Sequence, residues 1–411
     1  MSQSPPPATT AWNRAADFLN ERLWLGWAAG GALWLAWIVS LVLGGGQYDR
    51  FGQLVCTDHL AFYSAARMIR DGQSAEIYDN AAIQQKQIEL VGERWNGKYE
   101  AYRNPPFYAQ LYVPTANLPY VASAAIWSVI SFVAIALGIV LLGAERPGRA
   151  LLWTLSFYPT FCAISYGQNT PLSFLVFALA YRLMKSPVRG SYFFAGMIAG
   201  LLAFKPTLLI GLLVWSLFDI RRLWPCLVGA AVTISALSLG SYLVIPDAWT
   251  AFVASVKENA AFDQMDWWKH VTPRGFWRLL FGPHDAVGPL SITTAVLGIG
   301  WFAVVWKRAK SELEPCFGAV IALMLWATPH ALIYEWLLLA IPAVLWWKSL
   351  PQARSRMVVA FTVIFVASLL GPPLTQFQLG QFGYAVHPCV LAFGWIGWES
   401  LKWFRQSPGV A

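Results

Sequence analysis

The chain has 411 residues, of which 57% are hydrophobic and 12% charged, and 29 Lys plus Arg against 21 Asp plus Glu give a formal charge of +8. A soluble domain carries about a quarter charged residues, so this composition excludes both a soluble globule and a disordered chain. It reads as an all-α polytopic membrane protein, and the positive charge is no nucleic-acid signature because the cations fall mostly in short loops between apolar runs.

Residues 1–22 form a Pro-rich tail. The first apolar run, Leu23 to Leu43, is longer than a signal-peptide core and no small-residue cleavage pattern follows it, which predicts a retained first span. Further runs lie at about 119–143, 151–166, 170–184, 191–204, 206–218, 223–246, 285–306, 316–328, 332–347, 357–371 and 383–404. They give about 11–12 membrane segments at roughly 20 residues per crossing. They form one domain over 23–404, interrupted by two long connections, 46–118 and 247–284, and followed by a tail at 405–411. Several runs are too short to cross a bilayer, which predicts broken or re-entrant helices lining a protein cavity. Lys205-Pro206, inside an apolar stretch, is the clearest break. Five widely spaced cysteines with no CxxC pair argue against a zinc site or a disulfide framework.

Lys and Arg report sidedness. With the N-terminus inside, one set of short loops and the tails hold 17 of the 29 cations. The alternate short connections, at Gly167-Gln168-Asn169, Pro329-His330 and Pro372–Gln381, hold none. This puts both termini in the cytoplasm and the two long connections outside, provided that Lys205-Pro206 is a turning point. Asp58 to Arg70, with Leu60, Phe62, Tyr63, Ala66, Met68 and Ile69 among polar residues, predicts an interfacial helix capped by Thr57 or Asp58 and ended by Asp71-Gly72.

Asp58 suits a helix N-cap, and equally a general base held at the membrane surface. Lys205 in apolar surroundings either snorkels to the interface or meets an anion such as a phosphate. His330 and Tyr334, spaced i, i+4 for one helix face, accompany Glu335, the one acid of the run 316–347. This is either a self-satisfied polar cluster or part of a ligand path. Gln168-Asn169 closes a very short turn. Trp267 and Trp268 suit an interfacial belt or the stacking of a sugar face. Asp263 and Asp266 are a weak pair for a cation. No Walker A, GxGxxG after a strand, HExxH or GxSxG occurs, so the chain draws on a membrane-delivered substrate or a gradient. A secondary transporter or lipid flippase, which also uses broken helices and intramembrane ionisable residues, is the alternative to an enzyme.

Asp58-His59-Leu60-Ala61-Phe62-Tyr63, Ala65-Ala66-Arg67, Gly72 and Tyr78-Asp79 resemble the first outer loop of glycosyltransferase family 87. Arg103-Asn104-Pro105-Pro106 is similar to that family's (Y)PP element, Gly167-Gln168 to its GQ, and Ala195-Gly196 through Lys205-Pro206 to its AG…K(P). Pro329-His330 with Tyr334-Glu335 is similar to its PH…Y(D/E). The five motifs run in order over about 50–350, with His59 where the family has another aromatic and Asn104 where it has the YPP tyrosine. The resemblance implies a GT-C fold and an inverting membrane glycosyltransferase of a bacterial inner (plasma) membrane with its site outside. It would move a hexose, mannose first among them, from a polyprenyl-phosphate sugar to a lipid or glycan acceptor. Asp58 would be the general base, and Lys205, His330 and Arg103 would take the donor phosphate. Tyr63, Gln168, Asn169, Tyr334, Glu335, Trp267 and Trp268 would contact substrate. No cofactor is implied and a metal is not required, since no nucleotide leaves.

Overall fold

The computed structural model describes residues 11–261 and 266–404. The described residues are mostly helical and contain no strand, only isolated bridges. In chain order the helices are α1 (Ala11–Asn20), α2 (Leu23–Val42), α3 (His59–Arg70), α4 (Asn80–Val91), α5 (Pro106–Gln110), α6 (Tyr120–Leu141), α7 (Pro147–Ser156), α8 (Tyr158–Ser165), α9 (Thr170–Met184) and α10 (Ser191–Gly200). After them come α11 (Ile210–Phe218), α12 (Ile220–Val244), α13 (Pro246–Ala261), α14 (Pro273–Phe281), α15 (Val287–Arg308), α16 (Leu313–Ala327), α17 (Ala340–Ser349), α18 (Arg354–Phe382) and α19 (Pro388–Trp403).

Five of the helical stretches are long and apolar enough to cross a membrane: Leu23–Val42, Tyr120–Leu141, Ile220–Val244, Val287–Arg308 and Pro351–Phe382. Exposed Val, Leu and Ile side chains along α2, α6, α12 and α15 form the apolar surface that lipid requires. The chain is therefore a multi-pass membrane protein. Of the shorter apolar helices, α9 and α16 are mostly buried, while α10 and α11 keep exposed side chains such as Phe194, Leu213 and Leu217. α7 and α8 form one segment broken at Phe157, where ψ of 123° leaves the helical region, and Pro159 sits in the first turn of α8, where its missing N–H costs nothing. α10 ends in a 3-10 turn, Lys205 is extended (φ −137°, ψ 78°), and a second 3-10 turn over Pro206–Leu209 leads into α11. The expected break is thus present. Gly196 explains the small residues of α10: a Cβ there would stand 1.9 Å from the Cys226 carbonyl oxygen, so α10 and α12 approach backbone to backbone.

Three expectations need correction. Pro372–Gln381 is not a connection: α18 carries Pro372 and Pro373 inside a helix that runs on to Phe382. Kinked membrane helices tolerate such prolines because neighbouring groups take up the freed carbonyls. His330 and Tyr334 do not share a helix face, since residues 328–332 are non-helical and the 3-10 turn begins at Ile333. α3 forms where expected, but His59 to Ala66 and Met68 are all buried. Its apolar side packs on α4, α5 and the turn Val113–Thr115 instead of lying open on an interface. The second long connection joins the first one: α13 packs on the turn Ser74–Glu76, and the rings of Tyr78 and Phe252 lie 5.5 Å apart.

Candidate functional site

Asp58 ends a tight turn leading into α3. Cys56 in this turn has φ +54°, a left-handed conformation uncommon outside glycine. The Tyr120 hydroxyl, 2.7 Å from the carbonyl oxygens of both Val55 and Cys56, ties the turn to the start of α6. The N–H groups of Asp58 and His59 donate to the Tyr166 carbonyl at 2.9 and 3.2 Å. That close approach requires Gly167. At φ +72°, a Cβ on it would stand 2.7 Å from the His59 Cβ and 2.9 Å from the Cys56 Cβ. The next residue, Gln168, donates from its backbone to Ala163 O at 2.8 Å and from Nε2 to the Asp58 carboxylate. Neither Asp58 nor any other side chain caps α3, so the capping role is not what this carboxylate does. It faces Gln168 and, at 3.4 Å, the Thr57 hydroxyl.

Burial pushes the Asp58 carboxyl up from the ordinary range, opposed by the Gln168 hydrogen bond, the charge of Lys269, the Thr57 hydroxyl and the charge of Lys205. Lys205 reaches the same region from the α10–α11 break. It forms an ion pair with Glu335, which is buried, and its ammonium lies 5.6 Å from the Tyr334 ring centroid. Its charge is thus balanced within the protein before any ligand arrives. Asn104 fastens the first long connection to this break, donating from Nδ2 to Phe204 O at 2.8 Å, while its own carbonyl accepts from the Tyr78 hydroxyl at 2.6 Å. An asparagine in this place therefore joins two parts of the site.

His330 lies in the non-helical stretch before the Tyr334 turn, its ring 4.6 Å from that of His270. Val271 N donates to Ala331 O at 3.0 Å and holds the two strands of chain together. Burial, with the charges of Lys205, Arg103 and Arg274 behind it, takes His330 down to about 4, so the imidazole is neutral near pH 7. It offers a hydrogen bond and not a charge. Trp267 lies edge-on to His270 at 4.8 Å, with the guanidinium carbons of Arg274 and Arg278 at 5.6 and 5.8 Å from its ring centroid. Lys269 bonds Asp266 at 2.6 Å and lies 5.2 Å from the Trp268 ring centroid. Asp266 is thus committed to a lysine; Asp263 lies outside the described residues. Among the described residues no group of three or more His, Cys, Asp or Glu is placed to hold a metal.

Asp58, Gln168, Lys205, Tyr334, Glu335, His330 and Arg103 therefore converge with residues 266–270, although they come from five separate stretches of chain. Asn169 is buried beside them, within reach of the Tyr108 hydroxyl, with its Oδ1 lacking a partner. Tyr63 is not with them. Its hydroxyl donates to Leu118 O at 2.6 Å, and its ring packs in a separate cluster with Tyr48, Leu60, Trp95 and Tyr120. Three residues bear on the site without a role assigned from sequence: Lys269, whose charge acts on Asp58, and His270, both in the second long connection, and Glu100. Glu100 is a second carboxyl group facing Asp58, raised to about 8 by burial first and by the Asp58 charge second. Glu100 belongs to no motif and stands alone in a polar stretch, so no signal marks it.

The sequence profile of glycosyltransferase family 87 matches residues 102–329, more than half of the chain, and the chain belongs to that family. Asp58, Tyr63, His330, Tyr334 and Glu335 lie outside the matched stretch. Comparisons with curated proteins and with solved structures give no match.

Proposed function

We propose that this membrane glycosyltransferase of family 87 moves a hexose, mannose in the first instance, from a polyprenyl-phosphate sugar to a lipid or glycan acceptor. The reaction takes place at the outer face of a bacterial plasma membrane and inverts the anomeric carbon. The observation that carries this reading is the meeting of the Asp58 carboxyl with Lys205 and Lys269, and of His330 with Lys205 and Arg103. The sidedness rests on the cation count, 17 of 29 in the short loops and tails assigned to the cytoplasm.

In the reaction the acceptor oxygen attacks the anomeric carbon as the bond from that carbon to the phosphate oxygen breaks. Asp58 accepts the acceptor's hydroxyl proton, and the polyprenyl phosphate leaves as an anion. Gln168 and Thr57 hold the carboxylate in place, and Lys205 and Lys269 favour its ionised form. A base positioned in this way contributes about 10²–10⁴-fold. The leaving phosphate calls for preorganised positive charge and hydrogen-bond donors. Arg103, exposed beside the cluster, supplies charge, neutral His330 donates a hydrogen bond, and Lys205 shares its charge between Glu335 and the phosphate. The Trp267 and Trp268 rings offer faces for a sugar.

The test uses the full-length protein reconstituted in vesicles with radiolabelled polyprenyl-phosphate mannose or a radiolabelled nucleotide sugar, and total membrane lipid as acceptor. Label should pass to lipid from the polyprenyl donor alone, with inversion seen in the one-bond carbon–proton coupling at the product's anomeric centre. Transfer from the nucleotide sugar, or retention, would overturn the reading.

A further inference from the structure

Glu100 is held more firmly than a loop residue needs to be. The Gln87 side chain, wholly buried, brackets its main chain, accepting from Glu100 N at 2.9 Å and donating to Glu100 O at 2.8 Å. Trp95 Nε1 fixes the same amide at 3.2 Å. Among the described residues, none donates a hydrogen bond to the carboxyl group at the end of this mount. Glu100 is half-buried, and a carboxyl group that no described residue holds, on so fixed a mount beside Asp58, is open to a ligand hydroxyl. The charged groups facing it are Asp58 before α3, Asp266 and Lys269 in the second long connection, and Arg103 on its own stretch. Tyr334 and Tyr120 also lie within its field.

We propose that Glu100 binds the acceptor, its carboxyl group holding a second hydroxyl of a sugar or other polyol whose first hydroxyl gives its proton to Asp58. The inference rests on the glycosyltransferase reading above and narrows the acceptor to a molecule with at least two hydroxyls, which excludes a simple alcohol or a lone serine side chain. The two carboxyls divide the work by environment. Burial raises Asp58, but two hydrogen-bond donors and two lysines oppose that rise. Glu100 has no donor and feels the Asp58 charge, so it keeps its proton to about 8. A protonated carboxyl can both donate to and accept from a hydroxyl, and it adds no charge to repel the Asp58 carboxylate.

The experiment measures transfer from radiolabelled polyprenyl-phosphate mannose while total membrane lipid is titrated as acceptor, with wild-type protein, Glu100→Gln and Glu100→Ala in the same vesicles. Glu100→Ala should raise the half-saturating amount of lipid extract at least ten-fold and leave half-saturation by donor unchanged. Wild type should slow above about pH 8, and Glu100→Gln, which mimics the protonated group, should stay within three-fold of wild type at pH 7 and lack that decline. Thermal melting of each variant separates a folding defect from a binding one. Unchanged acceptor saturation in Glu100→Ala, equal losses for donor and acceptor, or a Glu100→Gln protein as impaired as Glu100→Ala would each overturn this inference while leaving the transferase reading standing. Wild-type protein that transfers no sugar would end both.

Discussion

Replacing Gly167 by alanine acts on one point of contact between the Gln168 turn and the start of α3. A left-handed conformation costs an alanine about 1–2 kcal/mol. The new Cβ would also stand 2.7 Å from the His59 Cβ and 2.9 Å from the Cys56 Cβ, neither of which is the end of a flexible side chain. Overpacking of that kind costs about 1–3 kcal/mol. The relaxation must separate Gln168 from Asp58, and a displacement near 1 Å at a reacting group costs about 10²-fold in rate. Gly190→Ala is the control: its φ of +81° carries the same backbone penalty, but the nearest atom to the new Cβ, on Phe194, is 3.8 Å away and far from the site. Tryptophan-fluorescence melting and sugar transfer are read on both proteins in detergent. Gly190→Ala should lose some stability and keep its turnover, while Gly167→Ala should lose more stability and about 10²-fold in rate. Full turnover in Gly167→Ala would refute the view that this glycine sets the position of the base.

Lys205→Met leaves the buried Glu335 carboxylate without its partner, a loss of about 3–5 kcal/mol, and Lys205→Met with Glu335→Gln should recover the melting temperature but not the transfer rate. Recovery of both would take Lys205 out of the site. Gln168→Leu removes a donor that lowers the Asp58 pKa, so the acid limb of the rate–pH profile should move to higher pH; an unmoved limb contradicts that pairing. Glu100 is raised to about 8 in the fold from an ordinary 4.5, so its stabilising contribution is whole below pH 4.5 and lost as pH rises through 8. Chemical unfolding between pH 5 and 9 should therefore show falling stability that Glu100→Gln flattens, and parallel curves for the two proteins would refute the shift.

The apolar runs and the Lys205-Pro206 break are legible because lipid demands long apolar stretches and a proline beside a charge cannot continue a helix in them. The Gly167-Gln168 pair is legible as a motif, but its reason, contact with Cys56 and His59, involves residues more than a hundred positions earlier. Pairings over such distances leave no trace in a single sequence, and nothing in it joins Lys205 to Glu335 or His270 to His330. The amphipathic pattern of α3 is that of an interfacial helix, yet α4 and α5 cover it. Periodicity reports that a face is buried and not what buries it. Tyr63 shares that pattern and goes to the packing side. Glu100 has no pattern at all; only its bracket by Gln87 and its nearness to Asp58 distinguish it.

The most direct test of the account is the single-turnover transfer rate of Asp58→Asn, with binding of the labelled donor measured on the same preparation. Asparagine keeps the size of the side chain and a carbonyl oxygen for Gln168, but it cannot take the acceptor's proton. The account predicts a rate lower by about 10²–10⁴-fold with donor affinity unchanged, and a rate within two-fold of wild type would contradict it.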